Sequence, residues 1–282
     1  MHPLLDTHQH LLYRGELSYP WSDALPPLAG QDFTIDDYAM LAENKNVAAS
    51  IFMEVDADDF KLEARFIGQL ADNPQNSIRG LIASCRPEGP AADFEDWVDE
   101  CAGLPVVGFR RILHEASNEL AESTKFRNHI RYLSSVGKPF DLCVRADQLN
   151  IGNDLVRACP NTEFILDHCG VPDIANREFE TWKSGIVEIA QNENLNCKIS
   201  GVLAYCADGE ARLETIKPYV LHIIDCFGPS RLLWGSDWPV VNLRSTLPDW
   251  IEIFRSLISD LSSDEQAVIC FSNAMRVYAL EV

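Results

Sequence analysis

Short apolar runs recur eight times along this 282-residue chain, and the stretches between them carry apolar residues at helical spacing. The runs are Leu4–His8, Ala49–Val55, Ile78–Ser84, Val106–Leu113, Pro139–Val144, Glu163–His168, Leu195–Ile199 and Arg231–Gly235. Most are apolar at consecutive positions rather than alternate ones, the pattern of strands buried on both faces of a parallel sheet. Phe60–Leu70, Phe94–Ala102, Phe126–Val136, Phe179–Asn192 and Ala211–Phe227 have helical periodicity. Thr34-Ile35-Asp36-Asp37 has the form of a capping box opening a helix through Met40 and Leu41. Ser263-x-x-Gln266 starts a last helix toward Tyr278. Strands alternating with helices predict βα units, and eight units in this length predict an α/β fold of the closed (β/α)8 TIM-like type. An open doubly wound sheet would carry a glycine-rich phosphate turn, and neither G-x-G-x-x-G nor G-x-x-x-x-G-K occurs. The Pro- and Gly-containing piece from Leu25 to Gly30 is too short to be a linker, so one domain over residues 1–282 is expected.

Composition narrows the partners. No apolar run approaches the roughly 18–20 residues that span a bilayer. No basic region followed by an apolar stretch opens the chain, so a cytoplasmic location is expected. The nine cysteines are scattered, odd in number and form no Cys-x-x-Cys pair, which argues against structural zinc and for small buried hydrophobes. With 23 basic and 43 acidic residues the net charge is -20, which repels phosphate backbones and anionic membranes. Nucleic acid and membrane are therefore not expected as partners; a small molecule is. The acid excess itself reads as solubility.

In a barrel, catalytic groups come from the C-terminal ends of the strands. The first run ends in Asp6-Thr7-His8-Gln9-His10, where strand alternation would aim Asp6, His8 and His10 the same way. The second ends near Glu54 and Asp56, the fourth near Arg110, Arg111 and His114, and the fifth at Arg145. The sixth ends in Asp167-His168-Cys169-Gly170, the seventh in Lys198 and Ser200, the eighth in Gly235-Ser236-Asp237-Trp238-Pro239. Ionisable groups at the ends of buried strands are costly unless used. Each also has an ordinary reading: His8 and His10 could cap a strand, His168 could be a satisfied core histidine, Asp237 could cap a helix. Alternation lets only one of Arg110 and Arg111 face inward, and Gly108 on the face of Arg110 favours Arg110.

Together these motifs resemble the amidohydrolase superfamily in its amidohydrolase-related branch. Tyr19-Pro20-Trp21, Gly108-Phe109-Arg110-Arg111-Ile112-Leu113, Leu166-Asp167-His168-Cys169-Gly170, Lys198-Ile199-Ser200-Gly201 and Asn273-Ala274-x-x-Val277-Tyr278 are similar to its sugar-lactonase cluster. The cluster contains fuconolactonase- and rhamnonolactonase-like enzymes. Two departures from the binuclear pattern argue against two metals: strand 4 offers no bridging lysine, and strand 5 ends in Cys143-Val144-Arg145 rather than histidine. The resemblance implies that His8, His10, His168 and Asp237 hold one Zn-like divalent ion, or that they bind the lactone without a metal.

Ester-type hydrolysis needs a base near water, charge stabilisation at the carbonyl oxygen and a proton for the leaving alkoxide. Asp237 is the expected base, with the three histidines polarising the carbonyl. Arg110, Arg145, His114 and Tyr205 are expected on substrate hydroxyls or a carboxylate, Trp21 and Trp238 as walls for a sugar face, and Glu54 either lining the pocket for substrate or buried and paired. The leading expectation is therefore a lactonase acting on a small sugar lactone. A metal-dependent decarboxylase of a small unsaturated or aromatic acid, and a non-catalytic barrel, are the alternatives.

Overall fold

A computed structural model describes residues 1–280. Eight parallel strands form one sheet in sequence order: β1 (Leu4–Gln9), β2 (Val47–Met53), β3 (Ile78–Ser84), β4 (Val106–Ile112), β5 (Phe140–Cys143), β6 (Phe164–Leu166), β7 (Leu195–Ile199) and β8 (Leu232–Trp234). The ring closes where β8 meets β1. Gln9 bridges Trp238 in parallel, His10 donates its backbone N–H to Trp238 O, and Asp237 donates to His8 O, both at 2.8 Å. The expected (β/α)8 architecture is thus what the chain forms.

The strands are buried on both faces because two cores sandwich them. Outside, Leu4, Phe52, Phe109, Phe140, Phe164 and Trp234 meet the helical layer, including Trp97, Phe126, Trp182 and Phe254. Inside the lower barrel, Leu5, Ala49, Ile51, Met53, Ile82, Ile165 and Leu233 form a second cluster. The C-terminal helix, Asn273–Val277, plugs that end with Ala274, Val277 and the following Tyr278. All nine cysteines are free and eight of them are buried. Among the described residues no helix is long and apolar enough to cross a membrane.

The helical layer follows the sequence pattern with a few differences, among them a short unexpected helix at Glu119–Glu122. The Thr34 capping box forms with Asp37 as expected. Helices at Leu149–Ala158 and Leu247–Leu257 were not expected. The first contains Asn150, Gly152 and Asn153, poor helix formers that its buried Leu149, Leu155 and Val156 override. The second opens on the Thr246 cap, with Pro248 in its first turn. The last helix begins with Ser262 as cap and Glu265 completing the box, one residue before the expected start, and a π turn at Val268–Ser272 interrupts it.

Strand β1 departs from the expected alternation. Its register against β2 slips between Asp6 and Gln9, so strict alternation fails there. Leu5 and His8 both reach the barrel interior, three residues apart. Asp6 turns instead to the seam. Its carboxylate accepts from Tyr38 Oη (2.7 Å), Ser236 N (2.8 Å) and His8 N (3.1 Å), clasping β1 to the segment after β8. Gly235 allows this approach, since a Cβ there would lie 2.6 Å from His8 Cβ. Leaving buried donors unpaired costs about 1–3 kcal/mol each. Asp6→Ala is therefore expected to lower the unfolding free energy by roughly 3 kcal/mol, against about 1 kcal/mol for Tyr38→Phe, both measured by urea denaturation.

Candidate active site

Strand ends of the barrel's C-terminal face surround a cavity of about 380 Å³, lined by His10, Trp21, Arg110, His114, His168, Tyr205 and Asp237 among others. A larger groove of about 930 Å³ lies outside the barrel, along Ile35–Ala42 and the start of β2, and carries no converging catalytic groups. Three residues of the smaller cavity, Asp56, His168 and Asp237, have left-handed backbone with φ of 53°, 53° and 55°. Each such conformation costs on the order of 1–3 kcal/mol and collects where geometry serves function.

The four residues proposed from the sequence as metal ligands come together. His10 Nε2 lies 3.4 Å and His8 Nε2 3.8 Å from Asp237 Oδ1. The His8 and His168 rings are 4.3 Å apart between centroids. Single donor atoms of His8, His168 and Asp237 all lie within 4.8 Å of one another. Gly201 packs beneath them, where a Cβ would fall 2.5 Å from His168 Nδ1 and 2.9 Å from Asp237 Oδ2. The approach excludes any side chain.

Hydrogen-bond partners decide which ring nitrogens face the cavity. His10 Nδ1 lies 2.9 Å from Met53 O, a pure acceptor, so Nδ1 carries the proton and Nε2 presents its lone pair to Asp237. His8 Nδ1 faces Asp167 Oδ1 at 3.4 Å, which turns its Nε2 lone pair the same way. His168 Nδ1 pairs with Ser200 Oγ at 3.0 Å. Burial holds His8 well below the ordinary histidine pKa and lowers His168, so both are neutral at pH 7. Two lone pairs and a carboxylate facing one another are repulsive alone and suited to a divalent cation. The partners behind them, a carboxylate and a backbone carbonyl, are those typical of metal-bound histidine. The residues fit such an ion, although Arg110 Nη1, 3.4 Å from His8 Nε2, shares that lone pair.

Arg110 faces inward, as Gly108 suggested, and is fully engaged. Its Nε donates to Glu54 Oε1 at 2.6 Å, and its Nη1 reaches Asp167 Oδ2 at 3.3 Å. Burial opposes its charge, but Glu54 and Asp167 more than offset that and raise its pKa. Arg111 points outward to Glu88 at 3.0 Å. Glu54 is buried behind Arg110 and does not line the cavity, so its expected contact with substrate is corrected to support of the guanidinium. Burial pushes Glu54 up and Arg110 pulls it below the usual carboxylate value.

Trp238 and Arg145 also stand elsewhere. Trp238 is buried between Phe33 and Tyr38, at ring distances of 5.5 and 5.6 Å, because Asp237 takes the inward position and its neighbour must turn away. Arg145 lies outside this cavity, binding Asp147 at 3.0 Å and His114 O, and lines a separate cavity across Tyr205. Trp21 lines the site with its Nε1 donated to Val55 O at 2.7 Å. Asp167 and Lys198, marked in the sequence as ionisable strand ends but given no role, and Asp141, which was not marked, fill the barrel waist below the histidines. Their signal was present: a lysine and two aspartates inside otherwise apolar runs.

Residues 5–280 match the family model described as Amidohydrolase. An L-fucono-1,5-lactonase of Burkholderia multivorans is 26% identical over 292 residues, covering 98% of this chain and 96% of that one. The crystal structure of an amidohydrolase from the same organism, with bound zinc, superposes with TM-score 0.89 at 25% identity, over 99% of this chain and 100% of that one. A 2,6-dihydroxybenzoate decarboxylase shares the fold at TM-score 0.68 and 16% identity, over 99% of each chain.

His114 supplies a test of the site's field. Burial, then the facing Arg110 charge, push its pKa down to about 4. Its ring is therefore neutral from alkaline pH down to that value, and an NMR titration of the His114 resonances should show one transition near pH 4.

Proposed function

The chain belongs to the amidohydrolase family, and from that premise we propose that it hydrolyses a sugar (aldono-) lactone to the open hydroxy acid. The observation that carries this reading is the convergence of the Asp237 carboxylate and three imidazoles at one cavity of the barrel mouth. At about 380 Å³ the cavity lies at the small end of ligand pockets and fits a single sugar ring.

Charge favours a neutral substrate. Arg110 is the only lysine or arginine lining the cavity among the described residues, and its donors are taken by Glu54, Asp167 and His8. Asp56 and Glu115 line the same space, and burial with the Glu54 charge raises Asp56. Apart from a cation held by the histidines and Asp237, a substrate carboxylate would meet acids and no free lysine or arginine, which disfavours a dicarboxylate. The decarboxylase neighbour supports only the fold.

One divalent cation on His8, His10, His168 and Asp237 would polarise the lactone carbonyl and the attacking water. The chain's own residues supply the rest. Asp237 takes a proton from water as its oxygen bonds the carbonyl carbon, and gives that proton to the ring oxygen as the C–O bond breaks. Trp21 and Tyr205 wall the sugar, and His114, neutral at pH 7, offers a polar contact to its hydroxyls.

Acid release from a panel of aldonolactones tests the reaction; a decarboxylase or a non-catalytic barrel would leave all of them closed. Asp237→Asn, close in shape, is expected to lower kcat/KM by about 10²–10⁴-fold with unchanged circular dichroism. The apo protein is expected to bind one equivalent of zinc, and His10→Ala to weaken that binding by at least about tenfold in a chelator competition.

A further inference from the structure

We propose that Lys198 is a positioning residue: its ammonium, sealed in the barrel waist, holds Asp167 where that carboxylate fixes the His8 ring with Nε2 toward the cavity. Only the kinetic part of this inference rests on the lactonase reading.

Lys198 lies on β7 two residues before Ser200, so both point inward, and it is fully buried. It does not line the cavity and cannot touch substrate. Its Nζ pairs closely with Asp141 Oδ1 and lies 3.3 Å from Asp167 Oδ1. Asp167 in turn meets Arg110 Nη1 at 3.3 Å and His8 Nδ1 at 3.4 Å. Asp167 Oδ1 thus lies between Lys198 Nζ at 3.3 Å and His8 Nδ1 at 3.4 Å, and neither it nor His8 Nδ1 has any other polar partner. Arg110 approaching His8 Nε2 requires the same tautomer, proton on Nδ1. Asp141 is steadied from below by Tyr278 Oη at 2.9 Å, which ties the terminal plug to this column.

Buried ion pairs are expensive, and apolar replacements of both members are often neutral or stabilising. A lysine kept solely as counter-ion to Asp141 would therefore be dispensable together with Asp141. A lysine that positions Asp167 would not. The two roles separate in a double variant.

Lys198→Met alone leaves Asp141 bare and is expected to destabilise the fold. Lys198→Met with Asp141→Asn restores a neutral, similarly shaped waist and is the informative protein. It is expected to unfold at wild-type urea concentrations, yet to lose about 10–100-fold in kcat on the best aldonolactone with KM nearly unchanged. Asp141→Asn alone, which keeps the Lys198–Asp167 contact, should retain kcat within a few-fold. Independently of any substrate, ¹⁵N-histidine NMR of the metal-free protein, with His8 assigned by His8→Gln, should show the Nδ1–H tautomer in wild type and a mixture in the double variant. A wild-type ring protonated on Nε2, or a double variant with wild-type tautomer, overturns the proposal. If no lactone is opened but the tautomers behave as stated, the lactonase reading fails and the positioning role stands.

Discussion

Closing the ring between β8 and β1 is the constraint on which the molecule depends. The backbone bonds His10 N to Trp238 O and Asp237 N to His8 O seal the seam. The same atoms belong to three residues of the candidate site. Asp6 adds a side-chain clasp by accepting from Ser236 N and His8 N at once. Site assembly is therefore not a separate step from folding, because residues 8, 10 and 237 meet only when the last strand finds the first. Gly235 and Gly201 mark how tightly this is drawn, each facing a site residue where no Cβ fits.

Above its apolar floor the barrel interior changes character. Asp141, Lys198, Asp167, Arg110 and Glu54 form a continuous buried column from the C-terminal plug to the histidines. Isolated, each charge would cost several kcal/mol to bury; paired in a chain, each is met by at least one opposite neighbour. The Asp167 carboxylate shows the balance. Burial pushes its pKa up, but Lys198, His8 and Arg110 bring it well below the usual carboxylate value. The column therefore gives the cavity fixed dipoles and charges rather than mobile ones, the preorganisation that hydrolysis at a carbonyl exploits.

Much of this was legible in the sequence, for identifiable reasons. Strands buried on both faces must be apolar throughout, so all eight were visible as runs, and ionisable residues at their ends exposed His8, His10, His168 and Asp237. What was not legible depended on local geometry. A register slip in β1 reverses Asp6, which no alternation rule anticipates. Trp238 follows an inward Asp237 and turns out to the aromatic layer. Arg145 and Glu54 sit at strand ends but spend their charge on protein partners, Asp147 and Arg110. Lys198 and Asp167 were visible as ionisable strand ends, but not their role: only three-dimensional neighbours show that they complete one another.

A crystal structure with a lactam analogue of an aldonolactone, which cannot be opened at its amide as readily as an ester, tests the central claim most directly. The ring is expected in the cavity at the C-terminal mouth, its carbonyl turned toward His8, His10 and His168, with Asp237 on the face from which water attacks. An analogue seated elsewhere, or bound there with its carbonyl turned away from the histidines and Asp237, would contradict it.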